Sequence, residues 1–247
     1  MSIVLFNFVQ MYKLEIESWN QEFEKGRVVL IDKPLNWTSF DVVKKIRGLT
    51  KTSKVGHAGT LDPLATGLLI VCTGKFTKRI NEFMAAEKEY TGSLTLGYTT
   101  PSYDLETEPV FQSSIEHLTE DMIHSATRNF VGDIMQVPPI YSAIKKDGKA
   151  AYLSARKGQE VKMEPRPIHI KSFEITAIEL PRIDFKVVCS TGTYIRSLAF
   201  DFGNALGCGA YLSSLIRTRI GEYWLEQASS VEELSREVSQ LKEKDTH

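Results

Sequence analysis

Apolar residues along this chain follow two different periods. Val42, Val43, Ile46 and Leu49 recur at helical intervals, and the preceding Thr38-Ser39-Phe40-Asp41 has the spacing of a capping box, so a helix of about ten residues is predicted there. Residues 119–130 read as an amphipathic helix stopped at Gly132. Residues 194–206 read as a helix capped by Gly192-Thr193 and ended by Gly207-Cys208-Gly209. Shorter helical stretches fall at 75–84 and 231–241, and residues 13–24 form a short helix or arm. Residues 168–178 and 183–189 instead alternate, as two strands separated by Pro181 would, and 27–31, 87–96 and 210–219 read as further strands. The run Leu68-Leu69-Ile70-Val71-Cys72 is apolar without a break and predicts a buried strand, while 101–111 and 137–149 read as loops. Strands and helices follow no βαβ alternation and no repeat appears, so the pattern predicts an α+β fold with a largely antiparallel sheet.

One polar loop stands out against this pattern. Residues 56–67 read GHAGTLDPLATG and place three glycines, a histidine, a carboxylate and two threonines within twelve positions. Pro63 fixes its own φ and biases Asp62 towards extended backbone, while Gly56, Gly59 and Gly67 permit tight turns around it. A lone Asp-Pro pair is an ordinary turn signal, but this density of special residues beside a buried strand marks a candidate site. An aspartate, with an ordinary pKa of about 3.9, is ionised at neutral pH and suits a nucleophile or ion-pair stabiliser. His57, on residue type alone, is a structural residue or a general base.

Composition narrows the class without naming a chemistry. At 247 residues, 42% hydrophobic and 25% charged, the chain is long enough for one large domain or two smaller ones. Thirty basic residues against 31 acidic give a net charge of −1, which does not advertise a nucleic-acid partner. Locally the balance differs. Lys44, Lys45, Arg47, Lys51 and Lys54 fall in a stretch without an acid, and residues 145–171 carry eight cations against three acids. Cys72, Cys189 and Cys208 form no close pair and no zinc pattern, so they read as reduced core residues. No second His or Cys lies at ligand spacing from His57, and no metal is expected. The apolar residues 2–9 are too few for a membrane span and lack the cationic flank and cleavage site of a signal peptide, so a cytoplasmic protein is predicted. Met11 opens a more polar segment, and the first ten residues read as an extension.

The motif GHAGTLDPLATGLL resembles the catalytic motif of the tRNA pseudouridine synthase B family, which isomerises the T-loop uridine at tRNA position 55. Other segments match in the same order: Asp32-Lys33-Pro34 with Trp37-Thr38-Ser39, Lys88-Glu89-Tyr90, Val137-Pro138-Pro139 with Tyr141-Ser142-Ala143, and Gly192-Thr193-Tyr194-Ile195-Arg196. The resemblance implies the pseudouridine synthase fold, a curved, mixed, mainly antiparallel sheet with flanking helices and a central RNA-binding cleft. It implies a catalytic domain over 26–225, between an N-terminal extension over 1–25 and a short helical tail over 226–247. Many relatives append an RNA-binding PUA domain, which a tail of this length cannot form.

By the same resemblance Asp62 is the nucleophile, Arg196 pairs with the catalytic carboxylate, and Tyr90 stacks under the target uracil and takes part in proton transfer. Tyr194 touches the nucleotide, Leu215 lines its pocket, and His57 is a wedge among everted bases. Lys33 and Pro34 support the catalytic loop from beneath. Beside these motifs the two basic stretches mark an RNA-facing surface, with the 137–149 loop on it. Ile216 departs from the family, where an arginine often precedes Arg217-Thr218. The implied partner is the tRNA T-arm stem-loop, bound by a monomer with no cofactor, since the isomerisation needs no redox chemistry. Two alternatives stand beside this reading: a tRNA-folding chaperone acting on the tRNA elbow, and a guide-dependent ribosomal RNA pseudouridine synthase.

Overall fold

The computed structural model describes residues 16–141, 145–146, 149–150 and 163–244. The expected extension over the first ten residues, and positions 142–144, 147–148 and 151–162 of the expected RNA-facing segments, lie outside the described residues.

In chain order, α1 (Ile16–Lys25) leads into β1 (Val28–Lys33), α2 (Ser39–Thr50), β2 (Val55–His57) and β3 (Ala65–Thr73). A 3-10 turn over Gly74–Arg79 and α3 (Ile80–Ala85) precede β4 (Lys88–Leu96) and a small ribbon of β5 (Tyr98–Thr99) and β6 (Val110–Phe111). Then come α4 (Glu120–Ala126), a 3-10 turn over Thr127–Phe130, β7 (Gly132–Gln136), and a second ribbon of β8 (Lys145–Lys146) and β9 (Lys149–Ala150). The hairpin β10 (Arg166–Glu179) and β11 (Arg182–Cys189), α5 (Ile195–Ala205), β12 (Ala210–Ile220), β13 (Tyr223–Trp224), β14 (Ser229–Ser230) and α6 (Val231–Lys244) complete the order. β1 pairs antiparallel with β3, as β10 does with β7 and β11, while β1 pairs parallel with β14, so the sheet is mixed and mainly antiparallel, with helices on it: α+β. Among the described residues no helix is long and apolar enough to cross a membrane.

The chain divides into two compact units, Met1–Lys88 with Ile216–His247, and Glu89–Leu215. In the first, β1 pairs with β3 from Val28 opposite Cys72 to Lys33 opposite Gly67. Apolar residues cover both faces of this pair. Val29, Ile31, Leu69 and Val71 pack against α1, α2 and α6, while Leu30, Leu68, Ile70 and Cys72 pack with Phe83, Ile220 and Tyr223. A strand covered on both sides has no solvent face, which is why 68–72 reads as an unbroken apolar run. Val231, Leu234 and Val238 bring α6 into the same core as Phe23 of α1.

In the second unit the strand order is β4, β11, β10, β7. Phe173 is the centre of an aromatic cluster, edge-on to Phe185 at 6.0 Å and to Phe202 of α5 at 5.2 Å between ring centroids.

Three elements differ from the sequence pattern. Residues 75–84 form a 3-10 turn before a short helix, because Gly74, at φ +50, sits against the carbonyls of Phe23 and Glu24, where a Cβ would meet Glu24 O at 2.1 Å. β2 and β7 are strands too short to show a period. β7 exists because β10 satisfies its main chain from Gln136 opposite Arg166 to Gly132 opposite Ile170.

Candidate active site

The Asp62 loop hangs in the first unit between β2 and β3, where His57 lies opposite Val71 and Ala58 N–H donates to Ile70 O at 2.9 Å. Every main-chain carbonyl from Gly59 to Pro63 is held. Arg217 of β12 donates from Nη2 to Gly59 O at 3.2 Å and from Nη1 to Thr60 O at 3.5 Å. The Ser39 hydroxyl donates to Leu61 O at 3.2 Å and accepts from Leu61 N–H at 2.9 Å. Ala65 N–H reaches Asp62 O at 3.1 Å, closing a turn over Pro63, and Asn36 N–H reaches Pro63 O at 2.8 Å. The Asp62 side chain itself is half-buried on this fixed backbone.

Lys33 braces the loop from β1. It is 0% exposed, and its ammonium donates to Trp37 O at 2.6 Å, Pro34 O at 2.9 Å and Pro63 O at 3.4 Å. Burial pushes that ammonium down to about 8 from its ordinary 10.5, against the opposing pull of the Asp62 carboxylate. Pro34 follows in the turn before α2. Burial also holds the His57 imidazole below its ordinary 6.5, against a hydrogen bond at Gly59 that pulls it up and with the Arg217 charge pushing the same way as burial.

Tyr90, Tyr194, Arg196 and Leu215 all lie in the second unit. Tyr90 on β4 and Leu215 on β12 are buried, at 7% and 8% exposure. Arg196, in the first turn of α5, is buried as well. Its Nη2 donates to Tyr141 O at 2.9 Å and Nη1 to Ser102 O at 3.3 Å, while Asp104 Oδ2 lies 3.6 Å from Nε. The helix start is not built as the sequence suggests. Gly192-Thr193 is not the cap; the N-cap is Tyr194, and the Thr193 hydroxyl donates to Ser190 O at 3.0 Å. Instead the buried Gln136 amide of β7 accepts from Tyr194 N–H at 2.8 Å and donates to Tyr194 O at 3.0 Å. The helix start thus has no side-chain cap, and a side chain 58 residues away holds the N-cap peptide instead, which no local rule could find.

Sequence reasoning therefore finds Lys33, Pro34, His57 and Asp62 in one unit and Tyr90, Tyr194, Arg196 and Leu215 in the other. It names Ser39 and Arg217 without a role and misses Asp104 and Gln136, and the contacts of all four join segments distant in sequence. An open groove of about 580 Å³ on the outer side of α2, lined by Asn36, Trp37, Lys44, Lys45 and Leu49, does not include Asp62.

Comparison with known proteins agrees with this architecture. The family model described as TruB family pseudouridylate synthase (N terminal domain) matches residues 47–195, and tRNA pseudouridylate synthase B C-terminal domain matches 196–247. Solved structures share the fold. The box H/ACA sRNP Nop10-Cbf5 complex aligns with TM-score 0.68 and 28% identity over 94% of this chain, and an H/ACA RNP bound to a substrate RNA containing 2'-deoxyuridine with TM-score 0.69 and 28% identity. The chain spans 59% and 60% of those longer chains. These matches define the class: a pseudouridine synthase fold carrying an aspartate loop.

Nearer relatives narrow the class. Proteins named tRNA pseudouridine synthase B are 54% identical in Flavobacterium johnsoniae, over 85% of this chain and 95% of that protein, and 52% identical in Phocaeicola vulgatus, over 85% and 92%. The chain belongs to the TruB family of pseudouridylate synthases.

Proposed function

We propose that this protein isomerises uridine to pseudouridine in tRNA, at position 55 of the T-loop, with Asp62 as the nucleophile. The observation that carries the reading is the bracing of the Asp62 loop, whose carbonyls from Gly59 to Pro63 are all held, so that the carboxylate stands on a backbone fixed before substrate arrives. Identity of 54% with a tRNA pseudouridine synthase B, against 28% with the H/ACA proteins, supports tRNA and weighs against the guide-dependent alternative.

The reaction breaks the N1–C1′ bond, turns the uracil and joins C1′ to C5. The proton on C5 is lost and N1 gains one, so the formula is unchanged. Asp62 supplies the nucleophilic oxygen. Arg196 and Tyr90 take the roles their motifs give them, as the cation of the site and the ring beneath the target uracil, with Tyr194 and Leu215 against the nucleotide. Everting a base costs a few kcal/mol, and stacking on an aromatic ring returns about 1–3 kcal/mol. The half-buried ring of His57 suits such a wedge.

The test is conversion of an unmodified T-arm stem-loop, with pseudouridine mapped by position. The wild-type protein converts the T-loop uridine, and Asp62→Asn lowers kcat by at least about 10³-fold while still binding RNA. Conversion persisting in a folded Asp62→Asn protein removes the nucleophile assignment. A wild-type protein that binds the stem-loop without converting it favours the chaperone reading.

A further inference from the structure

Arg217 is 1% exposed, among the most completely buried large side chains of the protein. Its guanidinium reaches both limbs of the Asp62 loop: Nη2 and Nη1 hold Gly59 O and Thr60 O before the aspartate, and Nε holds Leu68 O, at 2.8 Å, after it. The three partners are main-chain carbonyls. A buried cation is costly unless its donors are used, and here three separate nitrogens of one planar group each hold a different carbonyl. The approach is also built into the main chain. Gly67, at φ +97, faces Arg217 so closely that a Cβ there would lie 2.5 Å from Arg217 O and 2.8 Å from its N. Two further residues of the loop and its brace, Lys33 and His57, both feel the Arg217 charge.

We propose that Arg217 is a positioning residue for the reaction, its planar fork fixing both limbs of the catalytic loop and so the place of the Asp62 carboxyl. Lys33 holds the loop at Pro63 and Arg217 holds it at Gly59, Thr60 and Leu68, so the aspartate lies between two clamps in sequence. Lysine at 217 keeps the charge but has one head in place of a fork, and cannot span the same carbonyls.

The inference rests on the proposed isomerase activity, and one experiment separates the two. Wild type, Arg217→Lys and Arg217→Met are assayed on the T-arm stem-loop for kcat and KM, with thermal unfolding followed in parallel. Arg217→Met is expected to lose about 10²-fold in kcat, with KM held within about threefold and Arg217→Lys falling between it and wild type. If both variants fail to fold at the assay temperature, Gly67→Ala, which keeps the arginine but pushes its backbone away from the loop, is read the same way. A folded variant with kcat within about twofold of wild type, or a loss carried by KM, overturns the inference. Wild type inactive on the stem-loop overturns the functional reading and the inference together; wild type active with unimpaired variants overturns the inference alone.

Discussion

Lys33 shows how one buried side chain can serve a site and strain the fold. Its ammonium is fully buried on three carbonyls, and its folded pKa of about 8 lies below the ordinary 10.5. Between those values the unfolded chain binds more protons than the folded one. The stability cost is therefore full below pH 8 and fades as pH rises through the window. Lys33→Met leaves the carbonyls of Pro34, Trp37 and Pro63 without this donor, which costs about 1–3 kcal/mol at neutral pH. Urea unfolding of both proteins from pH 7 to 10 is expected to show wild type gaining on the variant above pH 8; a constant gap would contradict it. The type and place of Lys33 are legible in the sequence through its motif, but its task as a carbonyl clamp is a tertiary fact.

At the scale of elements, α2 connects the Asp62 loop to the core. The capping box read from Thr38-Ser39-Phe40-Asp41 is present: Asp41 N–H donates to the Thr38 hydroxyl at 3.1 Å and Thr38 N–H to Asp41 Oδ2 at 2.9 Å. The next residue, Ser39, is the one that ties Leu61 into the loop. Loss of the cap therefore reaches the site as well as the helix. Thr38→Ala is expected to lower stability by about 1 kcal/mol, with Thr38→Ser recovering most of it, by chemical denaturation. The α5 start differs in kind, since it has no side-chain cap and Gln136 from another element holds the Tyr194 peptide. A motif can single out Tyr194 and Arg196 while local capping rules misplace what holds them.

For the whole molecule, a net charge of −1 hides a local excess of cations. Lys44, Lys45, Lys51 and Lys54 are all exposed, on α2 and the segment after it. If these four contact phosphates, log K falls against log salt with a slope of about −3, and affinity for the T-arm stem-loop drops by about 10²-fold between 50 and 200 mM salt. A binding constant unchanged across that range would sink this expectation. By itself the sequence determined the longer helices and strands, the α+β class and the buried run of β3, and singled out Asp62, because periodicity, glycine, proline and capping signals act within a few residues. The folded chain decided how that carboxylate is held. Ser39, Arg217 and Gln136 act across 22, 158 and 58 residues of chain, and a hydrogen bond between segments leaves no local pattern for a sequence to display.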